Sequence, residues 1–295
     1  MSRNEGRTTG LPEEHVVEHG DPPAPAIAQQ APPTEEAPTF NWTNPTEVVS
    51  LPSGGKFYGP DHPLHGKNTI EIKYMTAKEE DILTSQALIR EGVAVDRMLQ
   101  NLLVDKRLDV NSLLLGDKNA LIVASRVTGY GPEYNTKVTC PACSANTEHT
   151  FDLSDPDTIN FEENMNSSAC HLDENSLLVA TLPLTKVEVR CRFLTGHDEM
   201  NQFNRNKKKS KAKRDKSVLT DLLKSIIVSI NGSTNRFEID NFIASMPARD
   251  SMFLRLMYGS VTPNIDLSQN FECQECGHEA DMEVPLTVDF LWPQR

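Results

Sequence analysis

Two Cys-x-x-Cys pairs, Cys140–Cys143 and Cys273–Cys276, stand far apart in the chain, each between strand-like flanks. No other feature constrains the fold as strongly. Two intervening residues let both sulfurs of a pair turn toward one cation while backbone amides face the thiolates. Four thiolates then make a closed tetrahedral site of the structural kind, whereas a catalytic zinc keeps an open position. Pro141 inside the first pair and Gly277 after the second suit tight knuckle turns. Roughly 130 residues separate the pairs, and a compact zinc ribbon brings them much closer. The expectation is one ribbon split into halves by a long insertion, with a structural Zn2+ on Cys140, Cys143, Cys273 and Cys276 clamping distant parts of the chain. Such a metal contributes on the order of 10 kcal/mol to folding. The rivals are a redox Cys-x-x-Cys, which usually opens a helix in a βαβ context that neither pair has, and cysteines that persist without a metal.

The compartment supports the metal. The opening MSRNEGRTTGLPEEHVVEHG lacks the apolar centre of a secretory signal, and no apolar run reaches the length of a bilayer. A reducing cytoplasm is expected, where paired cysteines are ligands or redox groups rather than disulfides. The other cysteines read differently. Cys191 falls with Val187 and Val189 on the apolar side of an alternating strand and reads as a core thiol; Cys170-His171 could bind metal but reads rather as a loop or a partly buried thiol. His278, two residues past Cys276, reads as a polar knuckle residue rather than a ligand.

The fold class expected is α+β: split zinc-ribbon-like β hairpins with inserted helical blocks. Residues 1–45, acidic and rich in proline, read as a disordered tail. Residues 46–75 read as a β hairpin region and 76–132 as a helical block. The split ribbon takes 133–156 and 268–293. Residues 157–267 hold inserted strands and helices with a lysine-rich loop at 204–216. Thr76 and Glu79 make a capping box that opens a helix running to Gly92. Further helices are expected from about Val95 to Val104, from about Asp117 to the stop at Gly129-Tyr130-Gly131-Pro132, and from Val218 to Ile230. Two more are expected around 239–245 and 247–257, and two strands between Ser176 and Leu194.

No residue pattern requires an enzyme. Glu79, Glu80 and Asp81 suit a helix N-terminus. Ser53-Gly54-Gly55-Lys56 lacks the upstream glycine and the following Ser/Thr of a phosphate loop. No zinc-protease, nucleophile-elbow or dinucleotide motif occurs. The net charge of -13 repels phosphate backbones, so general nucleic-acid binding is not expected. Against that acidity stands a basic run holding Lys207, Lys208, Lys209, Lys211, Lys213 and Arg214. It reads as a solvated segment or as a docking site for an acidic partner. Nucleic acid comes last, since no aromatic side chains interleave to stack on bases.

The order of short motifs resembles the T4-type phage baseplate hub assembly family. The motifs are Leu51-Pro52-Ser53-Gly54 with Tyr58, Glu79-Glu80-Asp81-Ile82-Leu83, Leu115-Gly116-Asp117, Arg126, Tyr130-Gly131 and Cys140-Pro141-Ala142-Cys143. The resemblance covers most of 48–290 and is strongest over 48–155. It implies a non-enzymatic, chaperone-like factor acting on other baseplate hub or tape-measure proteins in the host bacterial cytoplasm during tail assembly. The alternative it implies is a permanent structural subunit of the hub in the virion. It implies no membrane partner and no small-molecule substrate. The acidic tail and the basic run are not part of the matched pattern.

Overall fold

A computed structural model describes residues 43–159, 161–167, 169–208, 218–286 and 290–291. The tail expected over 1–45 lies outside the described residues up to position 42. The chain opens with an antiparallel pair, β1 (Thr46–Ser50) and β2 (Thr69–Lys73), that sets Val49 opposite Ile70 and Glu47 opposite Ile72. Turns fill the connection between them. Gly55 takes φ +71°, and a Cβ there would stand 2.2 Å from the Lys67 carbonyl oxygen. Only glycine satisfies both conditions.

Helices follow. Thr76 caps α1 (Ala77–Thr84), its N–H and hydroxyl both donating to the Glu79 carboxylate. The single helix expected up to Gly92 is in fact two: Ser85 is extended, and α2 (Gln86–Glu91) starts beyond it. The Thr84 hydroxyl donates back to the Glu80 and Asp81 carbonyls at the break, the local competition that disfavours continued helix. Gly92 closes α2 in the left-handed conformation at φ 77°. Then come α3 (Ala94–Leu102) and the long α4 (Leu115–Tyr130), whose Gly131 cap donates its N–H to Val127.

Two hairpins flank the remainder: β3 (Glu133–Thr139) with β4 (Asn146–Asp152), and β11 (Ser268–Glu272) with β12 (Glu279–Glu283). Between them the chain runs β5 (Asp157–Thr158), α5 (Phe161–Ser167), β6 (Cys170–Leu172), β7 (Leu178–Thr181), β8 (Glu188–Cys191) and α6 (Gly196–Lys208). After the basic run it continues through α7 (Val218–Ile226), β9 (Ile227–Ile230), α8 (Arg236–Ser245), α9 (Ala248–Val261) and β10 (Ile265–Asp266). Strands β6-β7-β8-β9 form an antiparallel sheet in that order.

That sheet refines one expectation and corrects another. Cys170-His171 lies in a strand rather than a loop, with Cys170 opposite Ala180, and the thiol is partly buried as expected. The helix expected to reach Ile230 stops at Ile226, and the β-branched residues Ile227, Val228 and Ile230 extend as β9 against β8. Branched side chains lose rotamer freedom in a helix and fit a half-buried strand, so tertiary pairing overrides the helical period. The pair β5–β10 brings the end of this block back beside the end of β4. One apolar core runs from Val49 through Leu291. Among the described residues, no helix is long and apolar enough to cross a membrane.

Candidate metal centre

Each hairpin turns through its cysteine pair in the same way. The Cys140 N–H donates to the Ala145 carbonyl, the Ser144 N–H donates to the Cys140 carbonyl (both 2.9 Å), and Ser144 takes φ 61°. In the other hairpin the Cys273 N–H donates to His278 at 2.9 Å, the Gly277 N–H to Cys273 at 2.8 Å, and Gly277 takes φ 66°. Ser144 thus occupies the left-handed position that Gly277 fills without strain.

The two turns face each other. All four Sγ atoms lie within 4.8 Å of one another, with Cys140 to Cys276 at 3.8 Å and Cys143 to Cys273 at 3.7 Å. Four sulfurs about 2.3 Å from a tetrahedral zinc stand about 3.8 Å apart, so the fold sets the edge length that this metal needs. Cys140 and Cys273 are buried, while Cys143 and Cys276 form the outer rim. The Cys140 thiol is drawn down to about 6, first by the Cys143 amide, against burial, and then by the Ala142 amide. Cys276 is pushed up to about 12: the His278 amide favours its thiolate, but the crowded sulfurs of Cys143, Cys273 and Cys140 outweigh it. A thiolate on Cys140 disfavours a second negative charge on Cys143 and Cys276 beside it, and a divalent cation removes that conflict. The donor set fits a zinc ion with no coordination position left for substrate.

Aromatic packing holds the hairpins together. Tyr134 pairs with Phe151 across β3–β4 and meets the Phe290 ring edge-on at 5.1 Å. His149 stands edge-on to Phe151 at 4.6 Å and to Phe271 at 5.4 Å. The Tyr134 hydroxyl donates to the Pro285 carbonyl at 3.2 Å, and the Asp152 N–H to the Gln269 side chain at 3.0 Å. Arg126 fastens this unit to α4: its guanidinium donates to the carbonyls of Gly131 (2.8 Å) and Glu133 (3.0 Å) and lies over the Tyr130 and Tyr134 rings.

The remaining sequence candidates separate from this centre. Cys191 is fully buried in β8, and burial pushes its thiol up to about 12. Cys170 is half-buried in β6. His278 contributes its backbone carbonyl and stands outside the four-sulfur group. Of the basic run, Lys207 lies in the last turn of α6 and donates to the Arg90 carbonyl at 3.2 Å. Lys208 is the last residue of α6, and Lys209, Lys211, Lys213 and Arg214 lie outside the described residues.

A second polar centre was not assigned from the sequence. Asp117, in the first turn of α4, is fully buried. Its carboxylate accepts from the Ser53 N–H at 2.9 Å, the Ser53 hydroxyl at 2.6 Å and the Tyr58 hydroxyl at 2.6 Å. The Tyr58 oxygen accepts in turn from the Leu114 N–H at 3.1 Å. Burial raises the Asp117 pKa, and its bonds from Ser53 and Tyr58 oppose the rise. The neighbouring Gly116 touches the returning chain: a Cβ there would stand 1.9 Å from the Pro263 carbonyl oxygen. Lys118, also buried, bridges Asp96 of α3 at 2.5 Å and Glu199 of α6 at 2.6 Å. The short motifs at Ser53, Tyr58, Gly116-Asp117, Arg126 and Tyr130 therefore serve to lock loops and hairpins onto α4. An acidic residue early in a helix ordinarily reads as a solvated dipole partner, so spacing alone gave no sign of its burial.

Comparison with protein families gives a match to the T4 bacteriophage base plate protein family over residues 44–177 and 174–291. Comparison with curated proteins gives no match, and comparison with solved structures gives none.

Proposed function

The chain belongs to the T4 bacteriophage base plate protein family, and from that premise we propose that it acts as a non-enzymatic assembly factor of the baseplate hub. In this reading it binds other hub or tape-measure proteins in the host cytoplasm while the tail is built. The family match, which spans nearly all the described residues, carries the proposal. The chemistry supports it. Zn2+ held by Cys140, Cys143, Cys273 and Cys276 would have all four positions taken by protein, and a closed site of that kind shapes a fold rather than turning over a substrate. The polar centres at Asp117 and Lys118 are likewise consumed in ties between elements.

The experiment is removal of the protein from an infection, with electron microscopy of the tails and mass spectrometry of purified wild-type virions. The expected result is loss of complete baseplates without the protein, and its absence from mature particles. The family's own description as a base plate protein favours a second reading, a permanent hub subunit. Stoichiometric copies in the virion would replace the first reading with the second. Normal tails in its absence would sink both. The metal is tested separately: elemental analysis of protein purified without chelators should give one zinc per chain, and a zinc-free, fully folded protein would refute the assignment.

A further inference from the structure

We propose that the open edge of β1 is a docking groove for an extended, basic segment of a partner protein, whose alternate side chains are apolar. Among the described residues, strand β1 is paired on one side only. The Tyr74 N–H donates to the Pro45 carbonyl and the Leu51 N–H to the Asn68 carbonyl. With the register between them, residues 45, 47, 49 and 51 are those that bond to β2. The peptide groups of Thr46, Val48 and Ser50 therefore point away from β2, toward the free edge. The far side of β2 is already closed by the Val104 N–H, which donates to the Glu71 carbonyl. Charges and prolines guard edge strands, and β1 has Glu47 within it and Pro45 and Pro52 beside it. Its central residue, Val48, carries neither guard and is 63% exposed.

Beside this edge lies a groove of about 400 Å³. It is lined by residues 47–50, by the α4 residues Val123, Ala124 and Val127, and by residues 153–156 after β4. A strand laid along β1 would gain main-chain hydrogen bonds from the edge. Every second side chain would fall on the small apolar residues of α4, the pattern by which extended peptides add to a sheet. Charge selects among such strands. Among the described residues, the carboxylates of the lining are Glu47 and Asp155, and it holds no lysine or arginine. A strand carrying lysine or arginine between its apolar residues complements that rim, and an acidic one is repelled.

The test uses the full-length protein and three labelled peptides: one alternating valine and lysine, one of the same composition in scrambled blocks, and one alternating valine and glutamate. Binding is read by fluorescence anisotropy, and backbone protection by hydrogen exchange. The expected result is preferential binding of the valine–lysine peptide, with slowed exchange at the Thr46, Val48 and Ser50 amides. Val48→Pro removes an outward N–H without touching the bonds to β2, a placement edge strands tolerate. It should keep the melting temperature and weaken binding by roughly five- to tenfold, the worth of one lost hydrogen bond. Equal binding of the scrambled peptide, no binding of the alternating one, or unchanged binding by Val48→Pro would each overturn the proposal. So would slow exchange at those amides before any peptide is added, because another segment or a second copy would then fill the groove.

Discussion

Replacing Asp117 with alanine tests the internal scaffold most directly. The substitution removes the acceptor for three donors at once: the Ser53 N–H, the Ser53 hydroxyl and the Tyr58 hydroxyl. Ser53 and Tyr58 are themselves buried, so water does not replace the lost oxygen atoms. A buried donor without a partner costs about 1–3 kcal/mol. Relief of a buried charge offsets part of that, which leaves a loss of about 4 kcal/mol. In a domain of this size, about 2–4 °C of melting temperature goes with each kcal/mol, so a fall of about 10 °C is expected by calorimetry or circular dichroism. Tyr58→Phe should cost less, because the Leu114 N–H loses an acceptor while Ser53 still serves the carboxylate. The double variant should fall short of the sum by about 1–2 kcal/mol, since both changes break one relay. The pH dependence adds a further signature. Burial raises the Asp117 pKa, so the folded state holds this proton more tightly than the unfolded one. Its contribution is present below the ordinary carboxylate range and is lost as pH rises through the raised value. Asp117→Asn should abolish that slope. An alanine variant within about 1 kcal/mol of wild type, or a strictly additive cycle, would refute the buried relay.

Other expectations follow from the same contacts. Gly116→Ala forces a methyl group onto the Pro263 carbonyl, and a loss of about 2–3 kcal/mol in urea unfolding is expected from overpacking against backbone. Lys118→Met leaves the mostly buried Asp96 without its cation, while the exposed Glu199 turns to water, and a loss of about 3 kcal/mol is expected from one buried charge left unpaired. Asp198 behaves oppositely to Asp117. Burial would raise it, but the Arg192 guanidinium at 2.5 and 2.7 Å and the Thr195 N–H hold it below its ordinary value. Its stabilisation is therefore present above the ordinary value and lost as pH falls through the depressed one, and Asp198→Asn should flatten the acid limb of a stability profile. Cys140→Ser should lower zinc content and melting temperature together, whereas Cys191→Ser should leave zinc content unchanged.

The sequence was most readable where chemistry is local. Two residues between cysteines dictate a knuckle, and Thr76 with Glu79 dictates a helix start, so both are legible from short strings. It was less readable where a distant partner decides. Ile227–Ile230 continues an apolar helical period, and only β8, far earlier in the chain, turns it into a strand. Ser85 breaks a helix whose apolar stripe runs past it. Asp117 carries no mark of burial in its own neighbourhood, because the groups that surround it, Ser53 and Tyr58, arrive from a turn 64 and 59 residues away. The convergence of the cysteine pairs was inferable from stoichiometry, two ligands being too few for a tetrahedron. The aromatic clasp of Tyr134, Phe151, Phe271 and Phe290 around it was not, since those rings come from two stretches far apart in the sequence.

The 130-residue step from Cys143 to Cys273 also imposes a timetable. At roughly 5–20 residues per second, a ribosome delivers the second pair on the order of ten seconds after the first. Through that interval the nascent chain presents half a thiol cage and one uncovered hairpin face, Tyr134 and Phe151, whose cover at Phe271 and Phe290 has yet to be synthesised. A translation product truncated before position 273 is therefore an open, oxidisable fragment, and only synthesis past Cys276 and Phe290 seals it.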